Sequence, residues 1–266
     1  MARFRVLDAW RGLAALLVAL FHAKLLAPEL AAAQAFKGLA AFVDFFFVLS
    51  GFVLASSYLR PGFELSAFAW RRLARLGPLH VYALAVLLVL EAGKAGLAEV
   101  GLMRFGESTL QGSGLPSFLD NLLLLQVTGL LGDRITWNTP SWSLSAELAA
   151  NLLVGSLVVL LARRWLVPVL SVIVIACGLV FATGLLPQTD YGPAALLRCL
   201  YAFAAGHLLY RLYDAWRPEL PGTAAIAAEL AAVAAVVAAL LLAPAGHWAA
   251  ATPLFAAAIL VFASEA

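Results

Sequence analysis

Residues 7–24, LDAWRGLAALLVALFHAK, decide how the rest of the chain is read. The stretch is apolar enough to enter a membrane, yet it carries Asp8, Arg11 and His22. In a helix turning ~100° per residue, Asp8 and Arg11 lie one turn apart on one face. His22 returns to within ~20° of Arg11, ~16 Å further along the axis. One face therefore holds an acid and a guanidinium near one end and an imidazole near the other. Such groups are costly in hydrocarbon and face a bundle interior or a water-filled cavity. The stretch predicts one wall of a polar pathway.

Composition agrees. Of 266 residues, 64% are hydrophobic and 12% charged, with a mean hydropathy of +0.97. Soluble domains carry roughly 25% charged residues. The chain is therefore expected to be all-α: a single-domain, polytopic transmembrane helical bundle in a lipid bilayer. The net charge of +2 says little about partners, and no nucleic-acid partner is expected. Cys177 and Cys199 lie in apolar segments without metal-ligand spacing, so neither a disulfide nor a metal is implied. The small triplet Ala33-Gln34-Ala35 stands too far past the apolar run, with Lys24 and Glu29 between, for a cleaved signal peptide.

Eight spans are expected, at about residues 6–25, 38–58, 78–90, 141–161, 166–183, 193–210, 223–242 and 248–262. Residues 94–117 read as a loop, and 118–131 have too few apolar residues to cross, suiting an interfacial or re-entrant segment. With the N-terminus cytoplasmic, eleven of the 17 Lys and Arg residues fall inside. A crossing at 118–131 would move Arg163 and Arg164 outside and break that bias.

This topology places His22, Asp44, Glu147 and Arg198 within roughly 5–10 Å of the outer boundary, on four helices. A histidine beside a carboxylate is equipment for general base catalysis. The alternative is structural: Asp44 or Glu147 paired with Arg198, and His22 bonded to backbone. On the inner side, Arg71, Arg72 and Arg75 cluster. Arg72 and Arg75, at i and i+3, suit a phosphate, or anionic lipid at a membrane edge. At the outer start of the fourth span stands NTPSWSLSAE, residues 138–147. Capping explains its serines and an interface explains Trp142, but neither explains Glu147 inside the membrane. His80, His207 and His247 are weaker candidates.

Four segments in this order, LDAWRGLAALLVALFHA, VDFFFVLSGFVL, FAWRRLARLGPLH and PSWSLSAE, resemble the acyltransferase 3 family of integral-membrane O-acyltransferases. The resemblance implies transfer of an acyl group, commonly acetyl, from acyl-CoA to a hydroxyl of a carbohydrate or similar cell-envelope acceptor, at the bacterial cytoplasmic membrane. It places the family's essential histidine on His22, its helix-one arginine on Arg11, its R-x-x-R pair on Arg72 and Arg75, and its Trp–Glu motif on Trp142 and Glu147. Two departures stand out. Trp10 is bulky where a smaller residue is common. The chain also ends just after its eighth span where the family runs to ten or so, so about two C-terminal helices are expected to be missing.

The mechanism expected from this reading docks acyl-CoA from the cytoplasm, its phosphates on Arg72 and Arg75 with Arg71. The pantetheine arm, roughly 15–20 Å long, matches the Arg11–His22 stripe. His22, oriented by Asp44 or Glu147, deprotonates the acceptor or takes the acyl group itself. Arg11 guides the donor, and Arg198 stabilises an oxyanion or binds the acceptor. The competing class is a transporter or flippase using the same polar seam without covalent chemistry.

Overall fold

The structure is a computed structural model that describes residues 4–23, 29, 33–58, 60–102, 114–131, 137–186, 192–217, 220, 222–242 and 248–264. Its helices, in order, are α1 (Arg5–His22), α2 (Gln34–Gly38), α3 (Phe42–Tyr58), α4 (Leu65–Glu99), α5 (Leu115–Leu122), α6 (Trp142–Leu160), α7 (Arg163–Ala182), α8 (Gly192–Trp216), α9 (Gly222–Leu242) and α10 (Thr252–Ala263). There is no strand among the described residues. Six segments are long and apolar enough to cross a membrane: Ala35–Tyr58, Leu65–Glu99, Thr139–Leu160, Arg164–Ala182, Gly192–Trp216 and Gly222–Leu241. The other two expected spans are α1, whose 18 residues include Arg5, Asp8 and Arg11, and α10, which has 12.

Two helices differ from expectation in ways that matter. The third span was expected to start at Pro78, but α4 runs unbroken through it for 35 residues. A proline inside a helix removes one hydrogen bond and crowds the preceding turn. Here Leu, Ala and Arg, all good helix formers, carry the helix across it. The basic cluster and the apolar span thus share one rod about 52 Å long, well beyond the ~30 Å of a hydrocarbon core. The far end also outruns its expected limit, with Lys94 paired to Glu91 one turn back. The second difference is at α3, where α2 and a 3-10 turn at Leu39–Ala41 extend the helical path towards the N-terminus.

The chain divides into two compact units: residues 1–63, 157–188 and 197–266 form the first, 64–156 and 189–196 the second. In the first, the core is the crossing of α3 and α8. Gly51 and Gly206 let the backbones touch: a Cβ at Gly51 would strike the carbonyl of Phe203, and one at Gly206 the carbonyl of Val48. Small residues serve membrane helices in this way because close backbone approach replaces hydrophobic drive. Further along, Phe52 meets Tyr210 edge-on at 5.4 Å. On one side of this crossing Asp44 bonds Arg198 and on the other Tyr58 meets His207, so α3 and α8 run parallel. Parallel helices require an odd number of crossings between them, here α4, α6 and α7. Residues 115–131 therefore do not cross, and they fold as α5 followed by turns.

In the second unit a buried polar network joins three segments. His80 Nε2 lies 2.7 Å from the Asn121 carbonyl. Gln126 Nε2 donates to Asn121 Oδ1 at 3.2 Å and to Ser141 Oγ at 2.8 Å. Ser145 Oγ donates to the Leu124 carbonyl at 2.7 Å and accepts from the Val127 N–H at 3.3 Å. These bonds fasten the turns after α5 to the start of α6 and to the middle of α4.

Gly206→Ala should lower the thermal midpoint of the purified protein in detergent, because the neighbouring carbonyl is backbone and cannot step aside. The overpacking cost is about 1–3 kcal/mol. Gly96→Ala, at a helical position where an added Cβ meets nothing within 4 Å, should leave the midpoint level or raise it. Equal midpoints for the two variants would refute the close crossing.

Candidate functional site

The residues singled out from the sequence fall in both units. In the first, α1 turns Leu7 and Ala14 into the core. Arg11 is half-buried and 3.7 Å from Asp8, one turn back. His22 closes the helix, also half-buried, its ring edge-on to Phe21 at 5.2 Å. Arg11, six residues into the helix, and His22, at its end, are joined by one unbroken α1, as their spacing requires. Roughly 100–160° round the helix from Arg11, Trp10, Leu13 and Leu17 line an apolar cavity of about 150 Å³ with Phe45, Val236 and Phe255. Trp10 also stacks on Phe262 at 4.7 Å and 11°. The bulky residue is explained by this contact, which pins α1 to α10.

Asp44 and Arg198 pair with each other. Arg198 Nε donates to Asp44 Oδ1 at 2.8 Å and Nη2 to Oδ2 at 2.6 Å. Asp44 is 0% and Arg198 1% exposed, so neither offers a face to a substrate. Nor does Asp44 share a level with His22. Phe21, beside His22, meets Phe36 at 6.4 Å, and Phe36 precedes Asp44 by eight residues, about 12 Å of helix. The expectation that Asp44 orients His22 is corrected accordingly. The helical path begins earlier than hydropathy suggested, which carries Asp44 deeper.

In the second unit, Trp142 is buried at the start of α6 and Glu147 is half-buried, its carbonyl accepting from Asn151 Nδ2 at 2.7 Å. Ser141 is tied through Asn121 to His80, which lies five residues from Arg75 (about 7.5 Å) and fourteen from Lys94 (about 21 Å). The start of α6 thus meets α4 near its middle, towards its basic end. On α4, Arg71 and Arg75 are exposed, while Arg72 is half-buried with its guanidinium 5.5 Å from the Phe68 ring centre. Phe68 holds the first of the R-x-x-R pair by a cation–π contact.

Of the other histidines, His80 is 3% exposed and pinned by Asn121. His207 is fully buried, its ring 5.9 Å from that of Tyr58, and His247 lies outside the described residues. The described residues hold no group of three or more His, Cys, Asp or Glu able to bind a metal. Asn121 and Gln126 were missed from sequence. Their visible signal was a pair of amides bracketing an apolar run of four leucines.

Comparison with known proteins follows the same line. The chain is 35% identical over 176 residues to protein 2 of the picA locus of Rhizobium radiobacter, covering 56% of this chain and 79% of that protein. It is 38% identical over 109 residues to the acyltransferase MdmB of Streptomyces mycarofaciens, covering 40% of this chain but 25% of that protein. No solved structure matches. The family model described as an acyltransferase domain matches residues 4–264, and with four motifs on a multi-pass helical scaffold the chain belongs to the acyltransferase 3 family of membrane acyltransferases.

Proposed function

We propose that the protein transfers an acyl group, acetyl first among candidates, from acyl-CoA to a hydroxyl of a carbohydrate or similar cell-envelope acceptor at the bacterial cytoplasmic membrane. The observation that carries this reading is α1: a half-buried imidazole at its end and a half-buried guanidinium eleven residues before it, on the first helix of a family acyltransferase domain. His22 acts as general base on the acceptor hydroxyl, or takes the acyl group and passes it on. In the first route the hydroxyl proton moves to the imidazole, the oxygen attacks the thioester carbonyl, and the CoA thiolate leaves and recovers a proton.

Arg72 and Arg75, with Arg71, recognise phosphate on the donor, and the Phe68 contact orients the first of them. Arg11 guides the donor along α1. Trp142 and Glu147 belong to the same reaction through the motif they occupy, with Glu147 the carboxylate for proton handling. Asp44 and Arg198 hold the scaffold and touch no reacting atom.

Labelled acetyl-CoA turnover in proteoliposomes tests the assignment, since slow thioester hydrolysis reads out without a known acceptor. His22→Ala should cut label release by about a hundredfold or more while folded yield stays level. Retained release in His22→Ala would remove His22 from the chemistry. The scaffold role of the ion pair has its own test. Asp44→Ala strands a buried guanidinium, at a cost of about 3–5 kcal/mol, and should depress folded yield. Asp44→Leu with Arg198→Met should restore both yield and turnover. A double variant that folds but does not turn over would return Arg198 to the site.

A further inference from the structure

Beside Phe4, at the end of α1 remote from His22, the first unit contains a second cavity of about 390 Å³. Its volume falls in the ~300–1,000 Å³ range of small-molecule sites. Unlike the apolar cavity at Trp10, it is lined by charge and aromatic rings: Phe4, Arg60, Tyr210, Tyr213, Asp214 and Arg217, with the Ser56 hydroxyl. No motif or role considered above accounts for it.

Three features make it a built site. Its two guanidiniums come from different elements, Arg60 from the turn after α3 and Arg217 from the end of α8. Arg60 has no ion-pair partner among the described residues, and Arg217 Nη2 is steadied by Asp214 Oδ1 at 3.1 Å, so two cations face one carboxylate. Second, Arg217 has a left-handed backbone, φ +40°, its N–H donating to the Tyr213 carbonyl at 2.6 Å. That is the helix-ending position where glycine is usual. An arginine here adopts a costly conformation, and strain of this kind gathers at functional sites. Third, the wall is rigid: Phe4 meets Tyr213 at 5.6 Å and Phe52 at 5.5 Å, and Phe52 in turn meets Tyr213 at 5.7 Å, all edge-on.

Two guanidiniums suit phosphate oxygens, and ring faces beside them suit a planar base. A phospholipid headgroup supplies the phosphate but gives the rings nothing to stack on. We propose that this cavity binds an adenine nucleotide, with its 3′-phosphate on Arg60 and Arg217 and the base against Tyr210 and Tyr213, and that the nucleotide is the end of the acyl-CoA donor. The last step rests on the proposed function. Arg60 and Arg217 then sort donors by their nucleotide, apart from the thioester end where chemistry occurs.

The test is equilibrium binding of CoA, adenosine 3′,5′-bisphosphate and 4′-phosphopantetheine to the full chain in nanodiscs. It compares wild type, Arg60→Gln, Arg217→Gln and Arg60→Lys, with thermal midpoints recorded for each. Both Gln variants should weaken CoA and the bisphosphate about tenfold or more and leave phosphopantetheine unchanged, with midpoints level. Arg60→Lys should fall between them and wild type. Wild-type CoA affinity in both Gln variants overturns the site while leaving the acyl-CoA reading standing. Equal loss of all three ligands overturns it too, as a general effect. So does unchanged CoA affinity with loss of co-purified anionic phospholipid, which would make the cavity a lipid site. Wild-type protein that binds neither CoA nor the bisphosphate overturns the donor reading itself, and this inference with it.

Discussion

The bidentate pair of Asp44 and Arg198 is the constraint on which the first unit depends. Either group alone in hydrocarbon is expensive, and fully buried it must be matched in geometry as well as charge. Fixing residue 44 against 198 sets the sliding register of α3 against α8. Only then do Gly51 and Gly206 each fall opposite a partner carbonyl, and Phe52 opposite Tyr210. A shift of one residue would separate the carboxylate from the guanidinium and drive a side chain into backbone at both glycines. Electrostatics and sterics demand the same register, and the parallel sense of the two helices follows from it.

Much of this was readable in the chain. Hydropathy alone located most of the helices to within a few residues, α4 excepted, because a membrane helix must satisfy its backbone internally and therefore runs long and apolar. The distribution of arginines kept residues 118–131 from crossing, and the parallel α3–α8 crossing agrees. The basic segment before Pro78 was misread because proline is a local signal, and the helix formers on either side outweighed one lost hydrogen bond. Depth was misread for a related reason. Counting residues from a supposed helix start turns an error in the start into an error in level, and α2 and its 3-10 turn moved that start at Asp44.

Partners are less legible than elements. Nothing local to Trp10 says that it stacks on Phe262, 252 positions later, and nothing in the apolar run after α5 says that Asn121 receives His80, Gln126 and Ser141. Apart from Gln126, five positions from Asn121, such contacts join residues far apart in sequence, so no periodicity or spacing carries them. What the sequence does carry is cost. An acid or an arginine in an apolar span is there against a penalty: Asp44 and Arg198 pair with each other, and Arg11 and Glu147 sit on half-buried faces.

That distinction separates the histidines. An imidazole that exchanges protons with a substrate must be reachable by it and also held in place. His207 is sealed against Tyr58 with no surface to offer, and His80 is buried with one ring nitrogen committed to the Asn121 carbonyl, where it fastens α4 to the turns before α6. His22 alone among the described histidines is half-buried. It stands at the end of a helix whose other faces are already engaged, Trp10 on Phe262 and Leu7 and Ala14 in the core. A helix anchored so firmly elsewhere can leave one imidazole accessible without losing its position. On the proposed reading, accessibility, more than the mere presence of a histidine in a membrane segment, is what sets His22 apart from His80 and His207.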